Sequence, residues 1–151
     1  MCKSLVERLS SQYPGQIVQI LTNLEHFETA CQELEQLLIR ARSSGSAGGP
    51  LTLAATEQFR EHKKTAEKRI FELVNSKIDD LMETAEYDWM AYITPSEPSN
   101  YIQTLTTYLS NIMSTTLLGL PREIKELIYF DALSHAASKI LVSAFAATPL
   151  A

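Results

Sequence analysis

The sequence predicts an all-α protein, an antiparallel bundle of four to five helices. Apolar residues recur in steps of three and four over long stretches, and no region sustains the period-two alternation of a half-buried strand. Clusters of glycine and proline cut the chain into helix-sized segments.

A first short helix is expected over residues 3–12, broken by Tyr13, Pro14 and Gly15. In the next segment Ile17, Ile20, Leu24, Phe27, Cys31, Leu34 and Leu38 advance in three-four steps, which places them on one helical face. Thr22, Glu25, Thr29, Gln32, Glu33 and Gln36 fall on the opposite, water-facing side, with Glu28 and Glu35 flanking the stripe. This helix is expected to end near Arg42, because SSGSAGGP at 43–50 has the composition of a flexible loop.

A long helix then starts near Leu53. Phe59, Ala66, Ile70, Leu73, Val74, Ile78, Leu81 and Ala85 carry its stripe for roughly eight turns. Its first half is basic (REHKKTAEKR) and its second acidic (KIDDLMETAEYD), the reverse of what the helix dipole favours. Tertiary packing is therefore expected to hold it. Residues 94–100 form an interhelical turn, in which Pro95 and Pro98 interrupt the helix and Ser99 or Asn100 caps the next one. That helix repeats Ile102, Leu105, Leu109 and Ile112. Gly119 and Pro121 punctuate its end, and a last helix turns Ile124, Leu127, Ile128, Leu133, Ala137 and Ile140 toward one side.

The 151 residues are most simply a single helical module, 45% hydrophobic and 21% charged, long enough to bury a core. A net charge of -5 argues against a nucleic-acid footprint. The two cysteines, Cys2 and Cys31, have no zinc-type spacing to His26, His62 or His135, and Cys31 on the apolar stripe reads as a small buried hydrophobe. MCKSLVERLSSQYPG lacks the apolar stretch of a signal peptide, and the longest apolar runs fall short of the ~18 residues of a membrane span. The expected location is cytoplasmic.

Chemistry is sparse. Asp79, Asp80, Glu83, Glu86 and Asp88 lie along a helix whose apolar residues face elsewhere, so they read as solvated surface rather than as the paired carboxylates of a hydrolase. No serine or cysteine has a nucleophile signature, and SGSAGG lacks the lysine and strand of a phosphate loop. Neither a metal site nor a cofactor is expected, and no enzyme. Two surfaces are candidates for contact. Arg60, Lys64 and Lys68 share a helix face at four-residue spacing and could touch an anionic surface, although Glu61 and Glu67 interleave. Tyr87, Trp89 and Tyr92, in the stretch TAEYDWMAYITPSEPSNY, could form a docking hot spot. Their structural reading is a corner that closes the core where one helix hands over to the next.

Taken in order, HFETACQELEQLL, EKRIFELVNSKIDDLMETAEYDW, SNYIQTLTTYLSNIM and LLGLPREIKELIYFDALSHAASKIL resemble the fungal-type exocyst subunit Sec-fifteen, over about residues 2–141. The resemblance implies a fragment of the C-terminal half of a much longer protein, and a fold that is part of an exocyst-type helical rod. It implies an exocyst subunit that tethers and docks secretory vesicles at the plasma membrane through protein–protein contacts. The implied partners are a Sec-ten-like neighbouring subunit and an exocytic Rab GTPase, the latter mainly through parts beyond this chain. The implied location is peripheral, on secretory vesicles and at plasma-membrane sites of polarised growth. After LSHAASKIL the family continues toward further helices, whereas this chain reads VSAFAATPLA, so 142–151 is expected to be an atypical tail. The alternative is a peripheral membrane-surface module using Arg60, Lys64 and Lys68.

Overall fold

The computed structural model describes residues 14–42, 51–86, 93 and 95–147. Among them are four α-helices and no strand: α1 (Pro14–Arg42), α2 (Ala54–Met82), α3 (Asn100–Asn111) and α4 (Arg122–Ala147). A π-helical turn, Ile112–Thr116, continues directly from α3. The chain is all-α, as its periodicity predicts. It forms two compact units, residues 1–70 and 71–151, whose boundary falls inside α2.

In the first unit α1 and the start of α2 run antiparallel. Their cross-links descend on one helix as they ascend on the other: Glu35 with Thr56, Glu28 with Arg60, and Glu25 with Lys63. Pro14 and Gly15 do not break a helix; they open α1, where a proline's missing N–H costs nothing because the first-turn donors have no intrahelical acceptor. The buried side of α1 is Ile17, Val18, Leu21, Leu24 and Glu28. Of the seven stripe residues expected there, only Ile17 and Leu24 are buried, while Phe27, Leu34 and Leu38 are exposed and Ile20 and Cys31 are half-buried. The cause is an angular offset: α2 covers the side marked by Glu28 and Glu35, turned away from the centre of the apolar stripe.

In the second unit the rest of α2 and α4 run parallel, since Asn75 meets Asp131 and Asp79 meets His135 in the same order along both helices. The five residues 117–121 between α3 and α4 are short enough to make those two antiparallel neighbours. The unit is thus an up–down–up set. Its buried residues include Leu73, Val74, Ile78 and Met82 of α2, Tyr101, Leu105 and Leu109 of α3, and Ile128, Ala132 and Ala136 of α4. The long helix stops at Met82, so Ala85 lies beyond it. Ser99 is the residue before α3; its carbonyl accepts the amides of Ile102 and Gln103, and its side chain makes no cap bond.

Two features depart from expectation. In the π turn Leu117 N–H donates to the carbonyl of Ile112, five residues back. It seats Leu117 and Leu120 in the core and leaves Leu118 outside. In α4, Ile128 is buried whereas Leu127 and Leu133, expected on the same side, are exposed. The helix has two apolar faces, and the expected stripe mixed them. It also continues through residues 142–147. The expected helix at 3–12, the loop at 43–50 and the aromatic cluster Tyr87, Trp89 and Tyr92 lie outside the described residues.

Candidate functional site

The basic face of α2 is partly committed to ion pairs. Arg60 Nε donates to Glu28 Oε1 at 3.1 Å and its Nη1 to Glu57 Oε2 at 2.6 Å. Lys63 Nζ meets Glu28 Oε2 at 2.6 Å and Glu25 Oε2 at 3.1 Å. Lys64 and Lys68 are exposed. The Lys63 hydrogen bond is the main reason the Glu28 carboxyl sits below its ordinary range, against the burial that pushes it up. For Lys63 burial pulls the ammonium down, and the bonds to Glu28 and Glu25 more than offset it, leaving it raised. Of the three residues expected to offer charge to an anionic surface, Arg60 is therefore already matched by carboxylates of its own unit.

Glu35 does separate work. Its Oε1 accepts the Leu53 N–H at 2.7 Å and the Thr56 hydroxyl at 2.6 Å, so α1 caps the start of α2 from outside that helix. Those two bonds, Thr56 first, hold the Glu35 carboxyl below its ordinary range.

One carboxylate of the acidic half of α2, Asp79, is matched in the same manner. Asp79 Oδ1 accepts from His135 Nε2 at 2.7 Å and meets Lys139 Nζ at 3.2 Å, while Asn75 Nδ2 donates to Asp131 Oδ2 at 2.8 Å. Burial pushes the Asp79 carboxyl up, and His135 and Lys139 overcome it, leaving it lowered. Asp80, Glu83 and Glu86 are exposed, and Asp88 lies outside the described residues. This ladder escaped the sequence reading, yet a signal for it exists. Asn75 and Asp79 are four apart on α2, and Asp131, His135 and Lys139 are four apart on α4, as two parallel helices in register require. Among the described residues no group of three or more His, Cys, Asp or Glu could hold a metal ion. No helix among them is long and apolar enough to cross a membrane.

The surfaces with most to offer a partner are apolar. On α1, Phe27, Leu34, Leu37, Leu38 and Ile39 are exposed, with Phe27 stacked on Phe59 at 5.2 Å between ring centroids. On α4, Leu127, Phe130, Leu133, Leu141, Val142 and Phe145 are exposed. Exposed apolar side chains in such numbers on one helix mark interaction surfaces, because leaving them in water is unfavourable by about 25 cal/mol per Å². Beside the α4 face, a groove of about 620 Å³ runs between α3 and α4, lined by Leu109, Met113, Tyr129 and Leu133 with the hydroxyls of Thr106, Ser110 and Ser114.

The sequence model of the family described as exocyst complex subunit Sec15 C-terminal matches residues 1–148. The chain is similar to the exocyst complex component sec15 of Schizosaccharomyces pombe, 31% identical over 144 residues, covering 88% of this chain and 19% of the relative. It is similar to the exocyst complex component SEC15 of Saccharomyces cerevisiae, 30% identical over 128 residues, covering 85% of this chain and 14% of that protein. The human exocyst complex component 6B is 27% identical over 127 residues, covering 83% of this chain and 16% of that protein. The chain thus spans less than a fifth of the length of these curated relatives. No solved structure matches it.

Proposed function

Because the chain belongs to the Sec15 C-terminal family of exocyst subunits, matched over residues 1–148, we propose that it serves exocytosis as part of a vesicle-tethering complex. It would act by protein–protein contact, docking secretory vesicles at the plasma membrane from a peripheral position on vesicles and at sites of polarised growth. The family match carries this reading, and the exposed apolar face of α1 supports it with a surface suited to a helical partner. A Sec-ten-like subunit is the proposed neighbour and an exocytic Rab GTPase the proposed regulator, contacted mainly by parts of the longer protein. Immobilised chain should capture one or more purified exocyst subunits. A cooperatively folded chain that captures none contradicts the proposal. For the GTPase arm, capture should favour the GTP-analogue form over the GDP form; equal capture of both forms removes the effector role.

A second reading, contact with an anionic membrane surface through Arg60, Lys64 and Lys68, draws on the exposure of the two lysines. Each cation near such a surface adds about 1 kcal/mol, screened by salt, and Arg60 has less to contribute because Glu28 and Glu57 already hold it. Liposomes containing phosphatidylserine should bind the chain in a salt-sensitive manner and release it when all three residues are changed to glutamate. Binding that survives the reversal rejects this reading.

A further inference from the structure

The outer face of α4 has a regular pattern. Leu127, Phe130, Ser134, Ala137, Leu141 and Ala144 follow one another at spacings of three, four, three, four and three, the alternation of the seam positions of a coiled coil. This seam is not the core face. Ile128 is 1% exposed, whereas Phe130, two residues and about 200° further round the helix, is 63% exposed. Leu127 and Leu141 are likewise in water, and Ser134 and Ala137 at the middle of the seam are exposed. One helix thus presents a core face and, on the opposite side, a seam that is exposed from Leu127 to Leu141 and half-buried at Ala144.

The order of side chains along the seam is self-complementary. Laid antiparallel on a copy of itself about a two-fold axis, the seam sets Leu127 against Ala144, Phe130 against Leu141 and Ser134 against Ala137, and then the same three in reverse. Large residues meet large or small ones at the ends, and small residues let the backbones approach at the middle. Beside the seam, Leu133 falls opposite Ile140 and Asp131 opposite Ser138, so no two like charges face each other. A parallel pairing is less favourable on this point, because it sets Glu126 of each helix, itself paired with Arg122 at 2.6 Å, against Asp131 of the other. A two-fold axis makes the surface isologous, which closes the assembly at two chains.

We propose that α4 is a self-association surface, and that its occupant is α4 of a second copy of this chain, packed antiparallel through Leu127, Phe130, Ser134, Ala137, Leu141 and Ala144. The inference rests on the pattern and exposure of α4 and does not depend on the exocyst role.

Sedimentation equilibrium of the full 151-residue chain, over a range from about 1 to 100 µM, tests it. A monomer–dimer equilibrium is expected, weakened at least tenfold by Leu141→Asp or by Ala137→Glu, with far-UV circular dichroism confirming that each variant stays helical. Both positions are exposed, so each variant tests the seam without touching the core. Register is read by oxidation in a Cys2→Ser, Cys31→Ser background. There the Ser134→Cys, Ala137→Cys double variant should cross-link two chains, and Phe130→Cys alone should not. A chain that stays monomeric throughout overturns the proposal. So does a dimer insensitive to both substitutions, or one cross-linked through Phe130→Cys alone, which would place the helices parallel.

Discussion

Glu28 of α1 and Lys63 of α2 meet at 2.6 Å with side chains only 10% and 18% exposed, which makes this ion pair part of the interior that joins the two helices. Arg60 shares the same carboxylate. The pairing eases the cost of a basic first half against the dipole of α2, because carboxylates of the neighbouring helix neutralise Arg60 and Lys63 there.

Removing one partner leaves a charge with little access to water. Lys63→Met is expected to lower the unfolding free energy by about 1–3 kcal/mol. Glu28→Leu combined with Lys63→Met should recover most of that loss, because an apolar pair of similar volume needs no compensation for desolvation. Urea unfolding of the single and double variants measures both effects. A double variant as unstable as the single one would mean that the ion pair itself supplies the stability.

Asp79 sets a pH dependence in the second unit. Its folded-state carboxyl is lowered from 3.8, so the stabilisation is fully present above that value and is lost as pH falls through the lower folded value. Asp79→Asn should therefore melt below the wild type at neutral pH and converge with it in strong acid. Curves that stay parallel down to the acid limit would remove the His135 and Lys139 contacts as the source.

Glu67 has the opposite sign. Burial, above all, raises its carboxyl above the ordinary value of 4.5, so its charged form is disfavoured in the folded state at neutral pH. Glu67→Gln is expected to raise the melting temperature slightly at pH 7, by less than the equivalent of about 1 kcal/mol, with the gain vanishing at acid pH. Destabilisation at pH 7 would show that attraction to Lys63 and Lys64 outweighs the burial.

The two faces of α4 should respond differently to truncation. Ile128→Ala empties core volume and is expected to cost about 2–4 kcal/mol, whereas Phe130→Ala, at an exposed position, should change stability in dilute protein by no more than about 0.5 kcal/mol. Equal losses, measured below the concentration at which the chain associates, would contradict the assignment of faces.

Much of this architecture was legible in the residues. The three-four spacing of Ala66, Ile70, Leu73, Val74 and Ile78 located α2 and its buried side, and the run at 43–50 led α1 to be ended near Arg42, where the helix stops. Periodicity identifies a helix and the direction of its apolar side, but a wide stripe leaves open which part a neighbour covers. That is why Phe27, Leu34 and Leu38 were expected inside and are exposed. On α4 two apolar faces dilute a single-sided pattern, so spacing alone places Leu127 and Ile128 on one stripe. The π turn shows in the spacing only as a step of five between the buried Ile112 and Leu117, among steps of three and four. The ladder from Asn75 to Lys139 was visible only as polar residues four apart on two helices, and it acquires meaning once those helices are known to run parallel.

The most direct test of the exocyst reading is capture of purified exocyst subunits by the immobilised chain, compared with Leu34→Asp, Leu38→Asp chain at matched thermal stability. The wild type should capture a neighbouring subunit. The double variant, altered only on the exposed face of α1, should lose at least tenfold in affinity. A well-folded wild type that captures no subunit, or a double variant that binds as tightly as the wild type, would contradict the account.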